Sequence, residues 1–166
     1  MKVFVTTDTH FGHRSLAATL AERPNDFEAR IVRNWQKMIA AEDMVIHLGD
    51  IVVGAPQDWS SFVPTLPGRK ILVLGNHDRK SINWYLTRGI DFCCGTFTWD
   101  LFGVRILFSH EPCCDGQFDM NIHGHLHLGG HREYPCDARH YLLSIERTAY
   151  QPILLESIVK EWRKGR

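Results

Sequence analysis

Long apolar runs are missing from this sequence. No window of its 166 residues approaches the roughly 18 consecutive apolar residues of a membrane-spanning helix, so no membrane partner is expected. Net charge is missing too: nineteen Lys and Arg balance nineteen Asp and Glu, with histidines counted as neutral. Such a chain lacks the broad positive field that drives nonspecific nucleic-acid binding, and only a local basic patch could serve instead. The opening run, Met1-Lys2-Val3-Phe4-Val5-Thr6, goes straight into a strand-like segment without signal-peptide architecture. The five cysteines, Cys93, Cys94, Cys113, Cys114 and Cys136, include two adjacent pairs and no CxxC spacing, which suits neither a disulfide framework nor a structural zinc site. Reduced thiols in a cytoplasmic protein are the expectation. Repeats, low-complexity stretches and linkers are absent, so a single domain over residues 1–166 is expected. With 44% hydrophobic and 23% charged residues, the composition excludes a disordered, collagenous or coiled-coil chain.

What is present is a series of short apolar runs, each ending in polar, turn-forming residues. Lys2–Thr6 runs into Asp8-Thr9-His10, Met44–Leu48 into Gly49-Asp50, and Lys70–Leu74 into Gly75-Asn76-His77-Asp78. Val104–Phe108 runs into Ser109-His110, and Met120–Ile122 into His123-Gly124-His125. Their Val, Ile, Leu and Phe content reads as buried strands. Between the first two runs, Phe27, Ile31, Trp35, Met38 and Ile39 share one helical face, with Asn25 or Asp26 as N-cap. Shorter helices are expected within Gln57–Val63 and Ser81–Thr87, and a last one over about Glu156–Arg163. Phe97–Leu101 and Val104–Phe108 read as an antiparallel hairpin across Phe102-Gly103, and Tyr141–Glu146 and Gln151–Leu154 as two further strands. The class is α/β.

Histidine is the unusual residue: there are ten, six of them between His77 and His131. In open α/β sheets ligands bind beyond the carboxyl ends of the strands. Here successive strand ends deliver Asp8 and His10, then Asp50, then Asn76 and His77, then His110, then His125 and His127. In an extended backbone the alternate residues of Asp8-Thr9-His10 and His125-Leu126-His127 would point the same way, so that each pair could grip one ion. Several imidazoles, two carboxylates and an amide oxygen, without thiolate, favour manganese, iron, zinc, cobalt or nickel over calcium or magnesium. Seven ligands exceed one tetrahedral site but suit two ions sharing a carboxylate, a recurring device for phosphoryl transfer.

Asp8-x-His10, Gly49-Asp50, Gly75-Asn76-His77-Asp78, the isolated His110 and Gly124-His125-x-His127 resemble, in order and spacing, the motif series of the calcineurin-like metallophosphoesterases. The likeness runs from Lys2 to about Ile158, and Asp8-Thr9-His10-Phe11-Gly12-His13 resembles a small bacterial and phage subgroup with a bare catalytic domain and no cap. It implies two mixed β-sheets packed face to face and flanked by helices, a four-layer α/β/β/α sandwich. It further implies that Asp8, His10 and His127 hold one divalent metal and that Asn76, His110 and His125 hold the other, with Asp50 bridging. Manganese is the first choice, with iron, zinc, nickel or cobalt as alternatives. A hydroxide between the metals would attack phosphorus in line, and His77 would protonate the leaving oxygen or stabilise the charge building on it. His13, Arg14 and Arg79 are candidate phosphate contacts, a guanidinium matching phosphate geometry. One departure stands out. Many members carry a second aspartate three residues after the bridging one, which orients the catalytic histidine, and Val53 occupies that position here. Either another group orients His77, Asp78 being nearest in sequence, or acid catalysis is weaker and suits good leaving groups.

Each residue also has a plainer reading. Asp8 and Asp50 could be caps or Asx-turns, Asn76 a turn residue, and His110 a satisfied buried histidine. Taken jointly, these readings need five coincidences in order. His47 is assigned to the core, His123 to the core or to orienting a ligand, and His131 and His140 to the surface or loops. Trp59, Trp84 and Trp99 are assigned to packing, with a base-stacking surface as the alternative. The expected activity is hydrolysis of a phosphate monoester or diester of a small, nucleotide-derived substrate at an open site. A non-catalytic interaction module on the same fold and a nuclease subunit recruited by a partner are the alternatives. The first should have lost ligands or His77, and the second should carry a charged groove or extra domain.

Overall fold

The computed structural model describes residues 1–13, 23–129, 134 and 136–165. Strand β1 (Val3–Thr6) precedes helix α1 (Phe27–Met38), strand β2 (Met44–His47), helix α2 (Pro56–Phe62) with a 3-10 turn at Val63–Thr65, and strand β3 (Arg69–Val73). Helix α3 (Ile82–Leu86) and strand β4 (Phe92–Cys94) follow, then β5 (Phe97–Leu101), β6 (Val104–Phe108), β7 (Met120–His123), β8 (His140–Leu142), β9 (Ile153–Leu154) and helix α4 (Leu155–Lys164). Two mixed sheets result. One has the order β4-β3-β2-β1-β9, parallel except for β9, and the other the order β5-β6-β7-β8, parallel except for the β5–β6 hairpin. Among the described residues no helix is long and apolar enough to cross a membrane.

Side-chain alternation along the strands divides the interior in two. Phe4, Val45 and Leu72 join Phe27, Ile31 and Trp35 of α1 in one core, whereas Val5, Ile46 and Val73 join Ile106, Phe108, Met120 and Ile122 of the second sheet in the other. The first sheet therefore lies between α1 and the second sheet, with strand residues i and i+1 serving opposite cores. Trp35 has no exposed surface and anchors α1, its indole N–H donating to the Pro67 carbonyl at 2.9 Å. Burial of a side chain of this kind stabilises the fold by about 1.5–3 kcal/mol.

Several sequence expectations shift. The hairpin forms as read, and its tight turn puts Phe102 and Gly103 at φ 55° and 68°, the positive pair that matches strand twist. The expected strand over Tyr141–Glu146 stops at Leu142. Residues 145–150 turn instead, closed by Thr148 N–H to the Ser144 carbonyl and by Tyr150 N–H to the Ile145 carbonyl. Leu143 and Ile145 are nevertheless buried, so the apolar alternation reported burial rather than pairing. The run over Gln151–Leu154 pairs only at Ile153–Leu154, antiparallel to β1. Strand β4 was not anticipated: three residues offer no readable alternation. Asp26 is the N-cap of α1 but makes no capping hydrogen bond, its carboxylate pairing with Arg30 instead.

Candidate metal centre

The parallel strands β1, β2 and β3 end on one edge of the first sheet, and β6 and β7 end beside it. Pairing continues past the ladder into the loops: Asp8 N–H donates to the Gly49 carbonyl at 3.0 Å, His10 N–H to Asp50 at 2.9 Å, and Gly124 N–H to His110 at 2.9 Å. Gly49 is needed where these loops meet. Its φ is +96°, and a Cβ there would lie 2.6 Å from His110 Nδ1 and 2.7 Å from the Gly75 backbone.

The aim of the side chains corrects one premise of the sequence reading. The backbone is not extended at the paired motifs: Asp8, His10, Asp50, His125 and His127 have φ of 48°, 50°, 57°, 68° and 47°. Left-handed conformations at non-glycine residues carry strain and persist where surrounding structure imposes them. The loop hydrogen bonds above supply that constraint, and the turns, not strand pleating, aim the donors inward.

Two groups of donor atoms converge, each within 4.8 Å: Asp8, His10 and His127, and Asp8, Asp50 and His110. In the first, His10 Nε2 lies 3.7 Å from both Asp8 Oδ1 and Asp50 Oδ2, and His127 Nε2 lies 3.9 Å from Asp8 Oδ1. Around the second, His110 Nε2 lies 2.9 Å from Asn76 Oδ1, 3.1 Å from His125 Nδ1 and 3.5 Å from Asp50 Oδ2. Asp50 Oδ2 thus stands between the two groups, while its Oδ1 accepts His77 N–H at 2.8 Å.

The hydrogen-bond network fixes where protons are. His110 Nδ1 donates to the Leu48 carbonyl at 2.7 Å, so in the neutral ring Nε2 presents a lone pair to the Asn76 and Asp50 oxygens. His127 Nδ1 donates to Glu146 Oε1 at 2.9 Å, which likewise leaves Nε2 bare towards Asp8. Asp8 Oδ2 accepts from the Thr7 hydroxyl and His125 N–H, but Asp8 Oδ1 and His10 Nε2 have no hydrogen-bond partner among the described residues. Buried acceptors facing acceptors are costly, and a cation satisfies all of them. The residues present therefore fit divalent ions. Burial lowers the pKa of both His10 and His125, which favours the neutral rings that ligation requires.

Sequence reasoning missed the supports. Glu146 takes the His127 proton donor on Oε1 and the Ser144 hydroxyl on Oε2, and Arg23 Nε donates to it at 2.9 Å. The Arg23 guanidinium also donates to the Thr9 and Asp8 carbonyls, strapping the first motif to the last. Burial works against the charged form of Glu146, but His127 and Arg23 outweigh it and bring its pKa down to about 2. Burial likewise opposes the imidazolium of His127, yet the bond to Glu146 and the charge of Asp8 hold its pKa above the ordinary value. No motif marks either residue: Arg23 and Glu146 are 123 positions apart. Asp78 plays another part than orienting His77. Its Oδ2 accepts from Asp50 N–H at 2.7 Å and Gly75 N–H at 2.9 Å, so it pins the second loop to the third rather than holding the His77 ring.

The remaining candidates sit at the rim. The His77 ring, 37% exposed, has Nε2 3.9 Å from Asp50 Oδ2. His13 lies with its ring 5.5 Å from that of His10 and 6.4 Å from that of His77. Arg79 is exposed, with Nε on the Asn76 carbonyl at 3.2 Å, and Arg14 lies outside the described residues, as does His131. His47 is buried, as expected, with Nε2 3.0 Å from Thr9 Oγ1, and His123 is buried too. His140, expected at the surface, is also buried.

Residues 1–137 match the sequence model of the family described as calcineurin-like phosphoesterase. The chain belongs to that family. It is accordingly a metal-dependent phosphoester hydrolase, and the family implies divalent ions for the donor groups above. An uncharacterized protein of Methanocaldococcus jannaschii is 26% identical over 99% of this chain and 93% of its own length. The gene 66 protein of Mycobacterium phage D29 is 38% identical over 46% of this chain and 40% of its own. The solved structure of a protein of unknown function from Aquifex aeolicus superposes with a TM-score of 0.75 at 28% identity, covering 96% of this chain and 98% of that one. The family match thus covers residues 1–137, and the likeness in fold to the Aquifex protein extends over 96% of the chain.

Proposed function

We propose that this phosphoesterase hydrolyses a phosphate monoester or diester of a small, nucleotide-derived substrate, with His77 as general acid. Asp8, His10 and His127 would hold one divalent ion, manganese first, and Asn76, His110 and His125 the other, with Asp50 between. The ions would supply charge to the phosphoryl oxygens and acidify a water. The chain's own residues do the rest. Asp50 presents one carboxylate oxygen to both groups and uses the other to fix the His77 backbone. A hydroxide attacks phosphorus in line, and the bond to the leaving oxygen breaks as the new one forms. His77 gives its ring proton to that oxygen.

The observation that carries this reading is an exposed imidazole, His77, at the rim of a cluster in which buried Asp8 Oδ1 and His10 Nε2 have no hydrogen-bond partner among the described residues. The bridging carboxylate, not Asp78, positions His77, which meets the question raised by Val53 at the backbone but supplies no ring partner. The cysteine spacing supports a reducing, cytoplasmic setting. The test uses metal-stripped protein, para-nitrophenyl phosphate and bis-para-nitrophenyl phosphate, with manganese, nickel, cobalt, zinc or magnesium added back. Metal-dependent turnover is expected, falling on the order of a thousandfold in Asp50→Asn, with a smaller loss in His77→Ala because nitrophenolate leaves readily. Absence of turnover with every metal in folded protein sinks the reading.

A further inference from the structure

Beside His77 runs a cleft of about 440 Å³, inside the range of about 300–1,000 Å³ usual for small-ligand pockets. Buried Trp59 and Tyr85 line it, and their polar atoms are committed. The Trp59 indole N–H donates to the Arg88 carbonyl at 2.9 Å, and the Tyr85 hydroxyl accepts Lys80 N–H at 3.1 Å. Half-buried Trp84 stands edge-on to both rings, 5.1 and 5.2 Å away, with the Arg88 guanidinium 4.6 Å from its centroid. These contacts hold the Trp84 ring in a set orientation at the cleft wall. Val53 lines the same cleft, so the position that often bears an aspartate contributes apolar surface. Arg79 and Lys80 also line it, and among the described residues no acidic side chain does.

A second cleft, about 510 Å³, lies along Asn76 and His110. Among the described residues it carries Glu111 and Asp115 and no lysine or arginine. Charge therefore separates the two sides: an anionic substrate is drawn towards the first and repelled by the second. His77 lines the first cleft, so an oxygen receiving its proton belongs to a group lodged there.

We infer that the cleft beside His77 is the leaving-group subsite and takes a flat aromatic ring of nucleobase type against Trp84, with Arg79 and Lys80 meeting an anionic substituent on the same alcohol. This rests on the phosphoesterase reading with His77 as acid. Aromatic stacking fits because the site offers π-faces and apolar surface with few directional groups, which recognises a ring without selecting one base.

Competition against hydrolysis of the better nitrophenyl reporter by manganese-loaded protein tests it. Adenosine 5′-monophosphate and ribose 5-phosphate bring the same phosphate to the centre and differ only by the base. The former should compete about tenfold more strongly, and Trp84→Ala should bring the two within about threefold. Equal competition in the wild-type protein overturns the inference while leaving the phosphoesterase reading intact. Lack of reporter turnover overturns that reading itself. Should Trp84→Ala fail to fold, the exposed Lys80→Ala replaces it. Adenosine 3′,5′-bisphosphate should compete more strongly than the monophosphate in wild type and lose that advantage in Lys80→Ala, and an undiminished advantage overturns the assignment.

Discussion

The two halves of the metal centre are built differently. Asp8 and His10 are 1% and 2% exposed, and His127 is clamped by Glu146, which Arg23 clamps in turn. On the other side Asn76 is exposed and the His125 side chain 28% so, with only His110 deeply buried. One half is a preorganised, dry pocket whose ligands cannot relax when emptied. The other faces solvent, where a substrate phosphate must enter, and among the described residues neither of its imidazoles has a carboxylate partner as close as the 2.9 Å one of His127. With the proposed ligands, a closed half and an open half would divide two tasks, retention of an ion and access to phosphorus, on either side of Asp50 Oδ2.

The hardest test of that division is to remove one imidazole from each half. His10→Ala strips the closed half of a donor that nothing nearby replaces, and should cut turnover by about a thousandfold, with no recovery in excess manganese. His125→Ala leaves a gap that solvent can fill, and should lose closer to about a hundredfold, partly recovered by excess metal. Turnover against metal concentration separates the two, and equal, unrecoverable losses would break the comparison.

Glu146→Gln probes the brace rather than the ligand. It removes the carboxylate that fixes the His127 ring, and such partners are worth about 10–100-fold in metal affinity. A manganese titration should show weakening at the tighter of two sites and little change at the weaker. Loss at both sites alike would mean that Glu146 stabilises the fold as a whole through Arg23.

The centre was legible to the extent that it is written at strand ends. Asp8, Asp50, Asn76, His110 and His125 each follow an apolar run, and the topology brings those runs to one edge. The means of aiming them was not legible, because glycine is the sequence signal for left-handed backbone and the five left-handed positions of the centre, Asp8, His10, Asp50, His125 and His127, are all Asp or His. Nor were the braces: Arg23 and Glu146 lie in no motif, and the Asp50–Asp78 contact joins two motifs across 28 positions, which neither motif announces. Trp59 and Trp84 show the same limit. Composition assigned both to packing, and both do pack, yet their neighbourhood to His77 depends on how α2 and α3 meet.

Gly124→Ala tests how tightly the closed half is shut. A Cβ there would overlap the Thr7 hydroxyl and the Asp8 carboxylate, and the buried loop has nowhere to move them. Overpacking of this kind costs about 1–3 kcal/mol, visible as a lowered Tm in metal-free protein. An unchanged Tm would mean that the closed half yields as readily as the open one.

The smallest expected effect lies behind the closed half, at His47. Thr9 gives its hydroxyl proton to the Ile51 carbonyl at 2.8 Å, so its oxygen accepts from His47 Nε2–H, and the ring is neutral. Burial drives its pKa down to about 3, far below the 6.5 of a solvated imidazole. Above pH 6.5 both folded and unfolded chains leave it neutral, and stability is independent of it. Below that, the unfolded chain takes up a proton that the folded one refuses, so stability falls as pH drops towards 3. Between pH 6.5 and 5 the loss from this one group is about 1.5 kcal/mol. His47→Gln keeps a donor for Thr9 but cannot titrate, and its urea-unfolding free energy should fall less over that interval than that of the wild type. Acid also protonates the proposed ligands, but those are the same in both proteins, so the difference isolates His47. Parallel curves would place the acid sensitivity of the closed half in its ligands alone.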